Sequence, residues 1–138
     1  MRALLARHLA QMQAQTPPES CHALPTDALM APGVVLLGLR EDAVLVGVGA
    51  LKTCDGYGEI KSMHTAAEAR GRGVARRVLE ALIGAARAQG LPRLNLETGS
   101  GPAHAAARAL YGKAGFVTCS PFGNYRSDPL SHFMTLRL

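Results

Sequence analysis

The sequence predicts an α/β (α+β) fold, in which a mixed sheet carries helices on its faces. Three observations support this prediction. Apolar residues recur in turn at helical and at strand spacing, and glycines or prolines end most of these runs. Of the 138 residues, 48% are hydrophobic and only 4% aromatic, so Leu, Val, Ile and Ala must build the core. No linker, repeat or low-complexity tract divides the chain, so we expect one domain over residues 1–138.

The first half of the chain is predicted to form a helix, a hairpin and a third strand. The segment MRALLARHLAQMQAQ reads as an amphipathic helix over 1–15, which Pro17 and Pro18 stop. A weaker helical pattern covers 26–30. Alternating or continuous apolar runs then predict three strands. They lie at 33–40, 43–52 and 59–65, with turns at Glu41-Asp42 and at 53–58.

The second half alternates helices with short strands. Residues 74–89 give the clearest helix, because apolar residues recur at helical spacing and Gly90 stands where a C-terminal cap belongs. An alanine-rich helix over 103–114 is ended by Gly115. The remaining predicted elements are strands at 94–98, at 116–119 and through 132–138, with an irregular loop over 120–129.

Charge and composition limit the classes of partner and compartment. The net charge of +5 suits an anionic partner, such as a phosphorylated cofactor, nucleic acid or acidic membrane. No apolar window is long enough to span a bilayer, and the N-terminus does not read as a signal peptide, so we expect no membrane partner. The three cysteines are odd in number and form no CxxC pair, which favours a cytoplasmic location. The five histidines lack metal-ligand spacing, so we predict no metal.

The stretch EARGRGVARR, residues 68–77, carries two glycines and four arginines at the start of the long helix. The first N–H groups of a helix lack internal partners, and the helix dipole favours anions there. Glycine lets a phosphate approach the backbone closely. The stretch lacks the Gly-Lys-Ser/Thr ending of a Walker loop, and Arg76 breaks the dinucleotide pattern GxGxxG. Alone, it could also be a solvated helix start or part of a nucleic-acid patch.

Two ordered motifs identify a family resemblance. Arg70, Gly73 and Ala75 match (Gln/Arg)-x-x-Gly-x-(Gly/Ala), and ARALYGKAGF at 107–116 matches A-x-x-L-Y-x-x-x-G-F. With helix, short strand and helix between them, these resemble the two signatures of the GNAT superfamily of N-acetyltransferases. The segments EIKSM, LETGS and PFGNYRSDPLSHFM further resemble a small bacterial subgroup, often labelled amino-acid acetyltransferases.

The resemblance implies a GNAT-like mixed, largely antiparallel sheet with helices on both faces. The family usually opens with a strand before the first helix, and this first strand is apparently missing here. Acetyl-CoA is the implied cofactor. The expected reaction is transfer of its acetyl group to a primary amine of a small, amino-acid-like molecule by direct attack. A homodimer is expected only by resemblance. A non-catalytic CoA-binding module and an acetyltransferase of a protein or peptide amine stay open. A nucleic-acid binder is disfavoured, because no aromatic platform accompanies the arginines.

The resemblance also implies roles for particular residues. The backbone around the glycine–arginine stretch would hold the diphosphate, the strand around Met63 would pair with the pantetheine arm, and the N–H near Met63 would stabilise the oxyanion. A position that is often Asn in the family is His104 here. Tyr111 is the family-matched acid for the departing thiol. The expected cofactor-binding residues are Met63, His64, Thr65, Arg70, Gly71, Arg72, Gly73, Val74, Ala75, Arg76 and His104.

Two glutamates compete for the role of base. Glu97 in LNLET is the first candidate and Glu59 in GEIKSM the second, because each interrupts an otherwise apolar strand. Either could instead bind the substrate ammonium or pair with Lys61. The loop 120–129 and the turn 17–20 are polar enough to line a substrate pocket. The candidate substrate-binding residues are Glu19, Asn124, Tyr125 and Arg126, and Arg126 could clamp a carboxylate.

Overall fold

The computed structural model describes Ala3 and residues 32–138, and within these residues six strands form one sheet. The strand order is β1-β2-β3-β4-β6-β5. Only β3 and β4 run parallel, so the predicted mixed, largely antiparallel sheet is confirmed. The elements are β1 Val34–Glu41, β2 Val44–Cys54, β3 Tyr57–Thr65, α1 Val74–Ala88, β4 Arg93–Gly99, α2 Ala105–Lys113, β5 Val117–Thr118 and β6 Ser131–Arg137.

Part of the predicted architecture lies outside the described residues. The helix expected at 1–15, the weaker helical pattern at 26–30 and the question of a first strand all fall there. Among the described residues, neither helix is long and apolar enough to cross a bilayer.

Tight turns join the first three strands. Asp42 and Ala43 connect β1 to β2, and both have positive φ, as a two-residue hairpin turn requires. This turn lies one residue later than the sequence predicted. Asp55 and Gly56 connect β2 to β3, and the φ of Gly56 is 83°. The second predicted turn is therefore much shorter than 53–58, and both neighbouring strands are longer.

Both described helices pack on the same face of the sheet. The buried side of α1 meets Leu51, Ile60, Leu94 and Leu96, and Tyr111 of α2 belongs to the same cluster. Helix α1 ends at Ala88, and Gly90 shortly after it has a φ of 74°, the left-handed conformation of a glycine cap. Helix α2 begins later than predicted, because a short 3-10 turn over Pro102–His104 precedes it.

Strands β3 and β4 separate after a short contact. Their pairing covers three residue pairs and ends at Ile60 beside Leu96, although both strands continue further. A bulge in β3 follows at Ser62 and Met63, where Ser62 has a φ of 57°. Bulges bend a strand and increase its twist. The sheet therefore opens between the far halves of β3 and β4, and this gap positions the site.

Candidate active site

A cavity of about 540 Å³ lies beside the gap, between the N-terminal ends of α1 and α2. The sequence predicted eleven cofactor-binding residues, and the structure brings ten of them to this cavity; the exception is Arg72. Leu110 and Ala107, which belong to the second sequence signature, also line it, as does Tyr111. The full lining is Met63, His64, Thr65, Arg70, Gly71, Gly73, Val74, Ala75, Arg76, Ala103, His104, Ala106, Ala107, Leu110 and Tyr111.

The start of α1 has the backbone geometry of an anion cradle. Gly71 and Gly73 have φ of 79° and 77°, and a Cβ on either would meet no atom within 4 Å. The first hydrogen bond of α1 runs from Arg77 N–H to the carbonyl of Gly73. The N–H groups of residues 74–76 precede this bond and lack helical acceptors. This open, glycine-lined helix start fits the diphosphate of a coenzyme A.

The arginines of the stretch divide into two groups. Arg70 and Arg76 line the cavity, whereas Arg72 and Arg77 point to Glu41 at the end of β1. The distances to the Glu41 carboxylate are 3.0 Å for Arg72 and 3.8 Å for Arg77. Residue spacing offers no reason to separate the four cations, because Glu41 lies about 30 residues earlier in the chain. Of the four arginines, Arg70 and Arg76 therefore bring their charge to the cavity, and Arg76 also lies 3.6 Å from Glu80 on the next turn of α1.

His104 and Tyr111 form the α2 side of this cavity. The ring of His104 lies against Gly99 so closely that a Cβ there would overlap it. Burial, helped by nearby Arg108, holds the pKa of His104 below its usual range, which favours the neutral ring. Tyr111 is only 6% exposed, and burial raises the pKa of its phenol well above the ordinary value. The phenol therefore keeps its proton at neutral pH and can donate it.

A second cavity of about 770 Å³ lies on the opposite face of the sheet, under the loop between β5 and β6. Three predicted substrate-binding residues, Asn124, Tyr125 and Arg126, line it together with Glu59. Sequence reasoning did not predict Tyr57 or Lys52, although Tyr57, Glu59 and Lys61 alternate along β3 as one strand face requires. The lining is Lys52, Cys54, Tyr57, Glu59, Lys61, Gly123, Asn124, Tyr125, Arg126, Ser127 and Asp128.

Glu59 is held by two partners. Lys61 Nζ donates to Glu59 Oε2 at 3.1 Å, and the Tyr125 hydroxyl donates to the same oxygen at 2.5 Å. Lys61 Nζ also donates to the Tyr125 hydroxyl at 2.7 Å. The Glu59 and Lys61 side chains are only 7% and 9% exposed. The pairing of Glu59 with Lys61, one of the two alternatives that the sequence left open, is therefore present.

Glu97 lies on the same sheet face in a different environment. Glu59 is the register partner of Asn95, and Glu97 is two residues further along β4. Burial raises the pKa of Glu97 to about 7, with smaller contributions from Glu59 and Asp128; Ser131 and Lys61 act in the opposite direction. A carboxyl with a pKa near 7 can take up and release a proton at neutral pH.

Glu19, the fourth predicted substrate-binding residue, lies outside the described residues. Among residues 32–138 and Ala3, no three His, Cys, Asp or Glu side chains come together as a metal site would need. Cys119 is half-buried in the strand region beside Phe133 and lines neither cavity.

Known proteins support the reading of both motifs. The Acetyltransferase (GNAT) family model matches residues 4–116. An uncharacterised N-acetyltransferase of Escherichia coli, YedL, is 44% identical over 139 residues, which cover 100% of this chain and 87% of YedL. The IAA acetyltransferase of Azospirillum brasilense is 46% identical over 121 residues, covering 86% of this chain and 77% of that protein.

Solved structures agree with these relatives. A Klebsiella pneumoniae protein assigned as an acyl-CoA N-acyltransferase superimposes with a TM-score of 0.79 at 33% identity, covering 99% of this chain and 88% of that one. A Bacillus anthracis protein assigned as a streptothricin acetyltransferase was solved in complex with acetyl coenzyme A. Its TM-score is 0.67 at 22% identity, covering 83% of this chain and 69% of that one, so it supports the fold. The chain therefore belongs to the GNAT acetyltransferase family and is an acetyl-CoA-dependent N-acetyltransferase.

Proposed function

We propose that the enzyme acetylates the primary amine of a small, amino-acid-like molecule bound in the cavity under the β5–β6 loop. The observation that carries the proposal is the placement of the two cavities on opposite faces of the sheet, with β3 lining both of them. A cofactor held at the α1 side can present its acetyl group at the gap. An amine in the second cavity would approach the gap from the other face.

The chain's own residues would hold the cofactor at three places. The N–H groups at the start of α1 bind the diphosphate, with Arg70 and Arg76 beside them. The backbone of β3 beyond Ile60 faces the gap, where an extended arm can pair with it as an added strand. The N–H near Met63 lies on this segment and would donate to the acetyl oxygen. When bound, acetyl-CoA supplies the activated acetyl thioester.

We assign the base to Glu97, which lies on the sheet face of the second cavity but does not line it. Glu59 already accepts hydrogen bonds from Lys61 and Tyr125, whereas burial gives the Glu97 carboxyl a pKa of about 7. The pKa of an α-amine is about 7.7–8, close to this value, while that of a lysine side chain is about 10.4. Glu97 can therefore take a proton from an α-ammonium group with little thermodynamic cost. Tyr111, on the cofactor side, would return a proton to the leaving sulfur.

The charges of the second cavity support a carboxylated substrate. Arg126 is exposed on the loop, and Lys52 lies opposite on β2. Their charges are available in addition to Lys61, which is engaged by Glu59. A guanidinium binds a carboxylate through two parallel hydrogen bonds.

An amine panel tests the proposal. Acetyl-CoA-dependent release of free thiol is measured with free amino acids, with matched amines that lack the carboxylate, and with short peptides. We expect amino acids to react best. Arg126→Ala should raise KM for the carboxylated amines about tenfold, corresponding to about 1.4 kcal/mol, and leave KM for the matched amines unchanged. Lys113→Ala, at an exposed position that lines neither cavity, is the control.

Two results would contradict the proposal. An unchanged KM for carboxylated amines in Arg126→Ala would remove Arg126 from substrate recognition. Turnover confined to peptides or proteins would show that the acceptor belongs to the other class that the sequence left open.

A further inference from the structure

Glu59, Lys61 and Tyr125 form a closed polar triangle within the acceptor side of the sheet. Each of its three sides is a hydrogen bond, of 3.1, 2.7 and 2.5 Å, and the Glu59 and Lys61 side chains are almost fully buried. Lys61 also lies 5.4 Å from the centre of the Tyr125 ring. A buried ion pair contributes little stability, because desolvation of the two charges offsets much of their attraction. Stability alone therefore does not explain the buried Glu59–Lys61 pair, which leaves room for a functional role.

The strand register places this triangle on the same face of the sheet as Glu97. β3 and β4 are parallel, and Glu59 is the partner of Asn95. Two residues further along each strand stand Lys61 and Glu97, which project to the same face as Glu59. Glu97 and Tyr125 also act on each other electrostatically. The triangle thus brings one positive and one negative charge to the carboxyl that the proposed function uses as a base.

Aromatic packing fixes the third corner of the triangle. Tyr125 and Phe122 come from the loop, Phe133 comes from β6, and their rings contact each other edge to face with centroids 5.1 to 5.8 Å apart. Tyr57 of β3 contacts Phe122 in the same way. The Tyr125 hydroxyl therefore contacts Glu59 and Lys61 in a defined geometry, although these residues are 66 and 64 positions away in the chain, respectively.

We propose that Glu59 and Lys61 are positioning residues that set the basicity of Glu97 by opposing charges, and that Tyr125 fixes their geometry. Lys61 favours the ionised carboxylate of Glu97, and Glu59 favours its protonated form. The other groups that face Glu97 are Asp128 from the loop and Ser131 from β6. This inference rests on the proposed function, in which Glu97 is the base.

The pKa of Glu97 supports the direction of each effect. Lys61 lowers it and Glu59 raises it, while burial makes the largest contribution. An opposite charge within a few ångströms shifts a carboxyl titration by on the order of one pH unit or more. Loss of Lys61 alone should therefore weaken the ionised form of Glu97, and loss of Glu59 alone should strengthen it. Loss of both should nearly cancel.

Two measurements test this on the full chain. Carboxyl ¹³C NMR follows the titration of Glu97 in the protein without cofactor, and the signal is assigned by its absence in Glu97→Gln. The second readout is the pH profile of kcat/KM with acetyl-CoA. We expect Lys61→Met to move the Glu97 midpoint up by on the order of one pH unit and Glu59→Gln to move it down. The double variant Glu59→Gln/Lys61→Met should return close to wild type, and it also avoids leaving one charge buried without its partner.

The outcomes separate the inference from the function on which it rests. Unchanged NMR midpoints in both single variants, or shifts of the same sign, would overturn the inference even if Glu97→Gln abolishes activity. Full activity in Glu97→Gln would instead overturn the assignment of Glu97 as base, and with it the functional part of the inference. Opposite shifts that appear in both the NMR titration and the pH profile support both.

Discussion

Glu59 and Glu97 show at the residue scale how one face of a sheet can give two carboxyl groups different properties. Both interrupt apolar strands, and for this reason the sequence makes both of them candidates for the base, with Glu97 first and Glu59 second. Their difference comes from Lys61 and Tyr125, which engage Glu59 and leave Glu97 with burial as its main influence. The contact with Tyr125 joins residues 66 positions apart, and no local periodicity reports such a contact.

The raised pKa of Glu97 predicts how stability depends on pH. The ordinary value is 4.5 and the folded value about 7, so between these pH values the folded protein keeps a proton that the unfolded chain has released. Stability contributed by this group is present at low pH and lost as pH rises through about 7. Glu97→Gln cannot ionise. Relative to wild type, it should therefore gain about 1–3 kcal/mol of unfolding free energy between pH 4.5 and pH 8, an estimate reduced for partial exposure.

Urea denaturation at the two pH values measures this difference. Glu80→Gln is the matched control, because Glu80 lies on the exposed side of α1 and pairs with Arg76 at 3.6 Å across one helical turn. The relative stability of the control should change by less than about 0.5 kcal/mol. The prediction fails if Glu97→Gln gains no more than this control between pH 4.5 and pH 8.

At the scale of elements, periodicity and glycine positions predicted α1 almost to the residue. The helix was expected over 74–89 and extends over Val74–Ala88, because its apolar stripe packs on the sheet and Gly90 caps it. The start of α2 was predicted less well. Pro102 opens a 3-10 turn that alanine content does not distinguish from an α-helix, and α2 proper begins at Ala105.

Two glycines, Gly73 just before helix α1 and Gly84 within it, have opposite expected roles. Gly73 precedes the first turn with a φ of 77° and open space around its Cβ position, so no protein atom blocks a side chain there. Gly73→Val should strain the backbone by about 1–3 kcal/mol and fill the space that the diphosphate needs. Isothermal titration calorimetry should then show acetyl-CoA affinity reduced at least about tenfold, or about 1.4 kcal/mol.

Gly84 provides the matched control within the same helix. It is exposed, its φ is not positive, and a Cβ there meets nothing within 4 Å. Gly84→Ala should stabilise the protein by about 0.5–1 kcal/mol through helix propensity and leave acetyl-CoA affinity unchanged. Equal acetyl-CoA affinity in Gly73→Val and wild type would show that the start of α1 is not the phosphate cradle.

At the scale of the whole molecule, the two cavities that we propose for the cofactor and the amine lie on opposite faces of one opened sheet. The cofactor side could be predicted because two contiguous signatures, at 70–75 and 107–116, provide most of it. The acceptor side could be predicted only in part. Its cavity depends on how Phe122 and Tyr125 fold the loop against Tyr57 and Phe133, and on burial that separates Glu97 from Glu59. These are consequences of packing between distant segments, which residue spacing does not show.

The charge of the whole molecule predicts salt-dependent binding of the cofactor. The chain carries a net charge of +5, and Arg70 and Arg76 stand at the cavity with the glycine cradle. Added salt screens attraction between exposed charges, since the Debye length is about 10 Å at 0.1 M and about 3 Å at 1 M. Raising salt from about 0.05 to about 0.5 M should weaken acetyl-CoA binding by roughly 3- to 10-fold in calorimetry. Arg76→Gln should reduce the slope of this dependence, because the Arg76 side chain lines the cavity.

Arg137→Gln is the control. It removes an exposed charge at the end of β6 that lines neither cavity, and it should leave the slope unchanged. Equal slopes in the wild type and Arg76→Gln would mean that Arg76 does not contribute to the attraction, and an affinity independent of salt would assign binding to the backbone cradle alone.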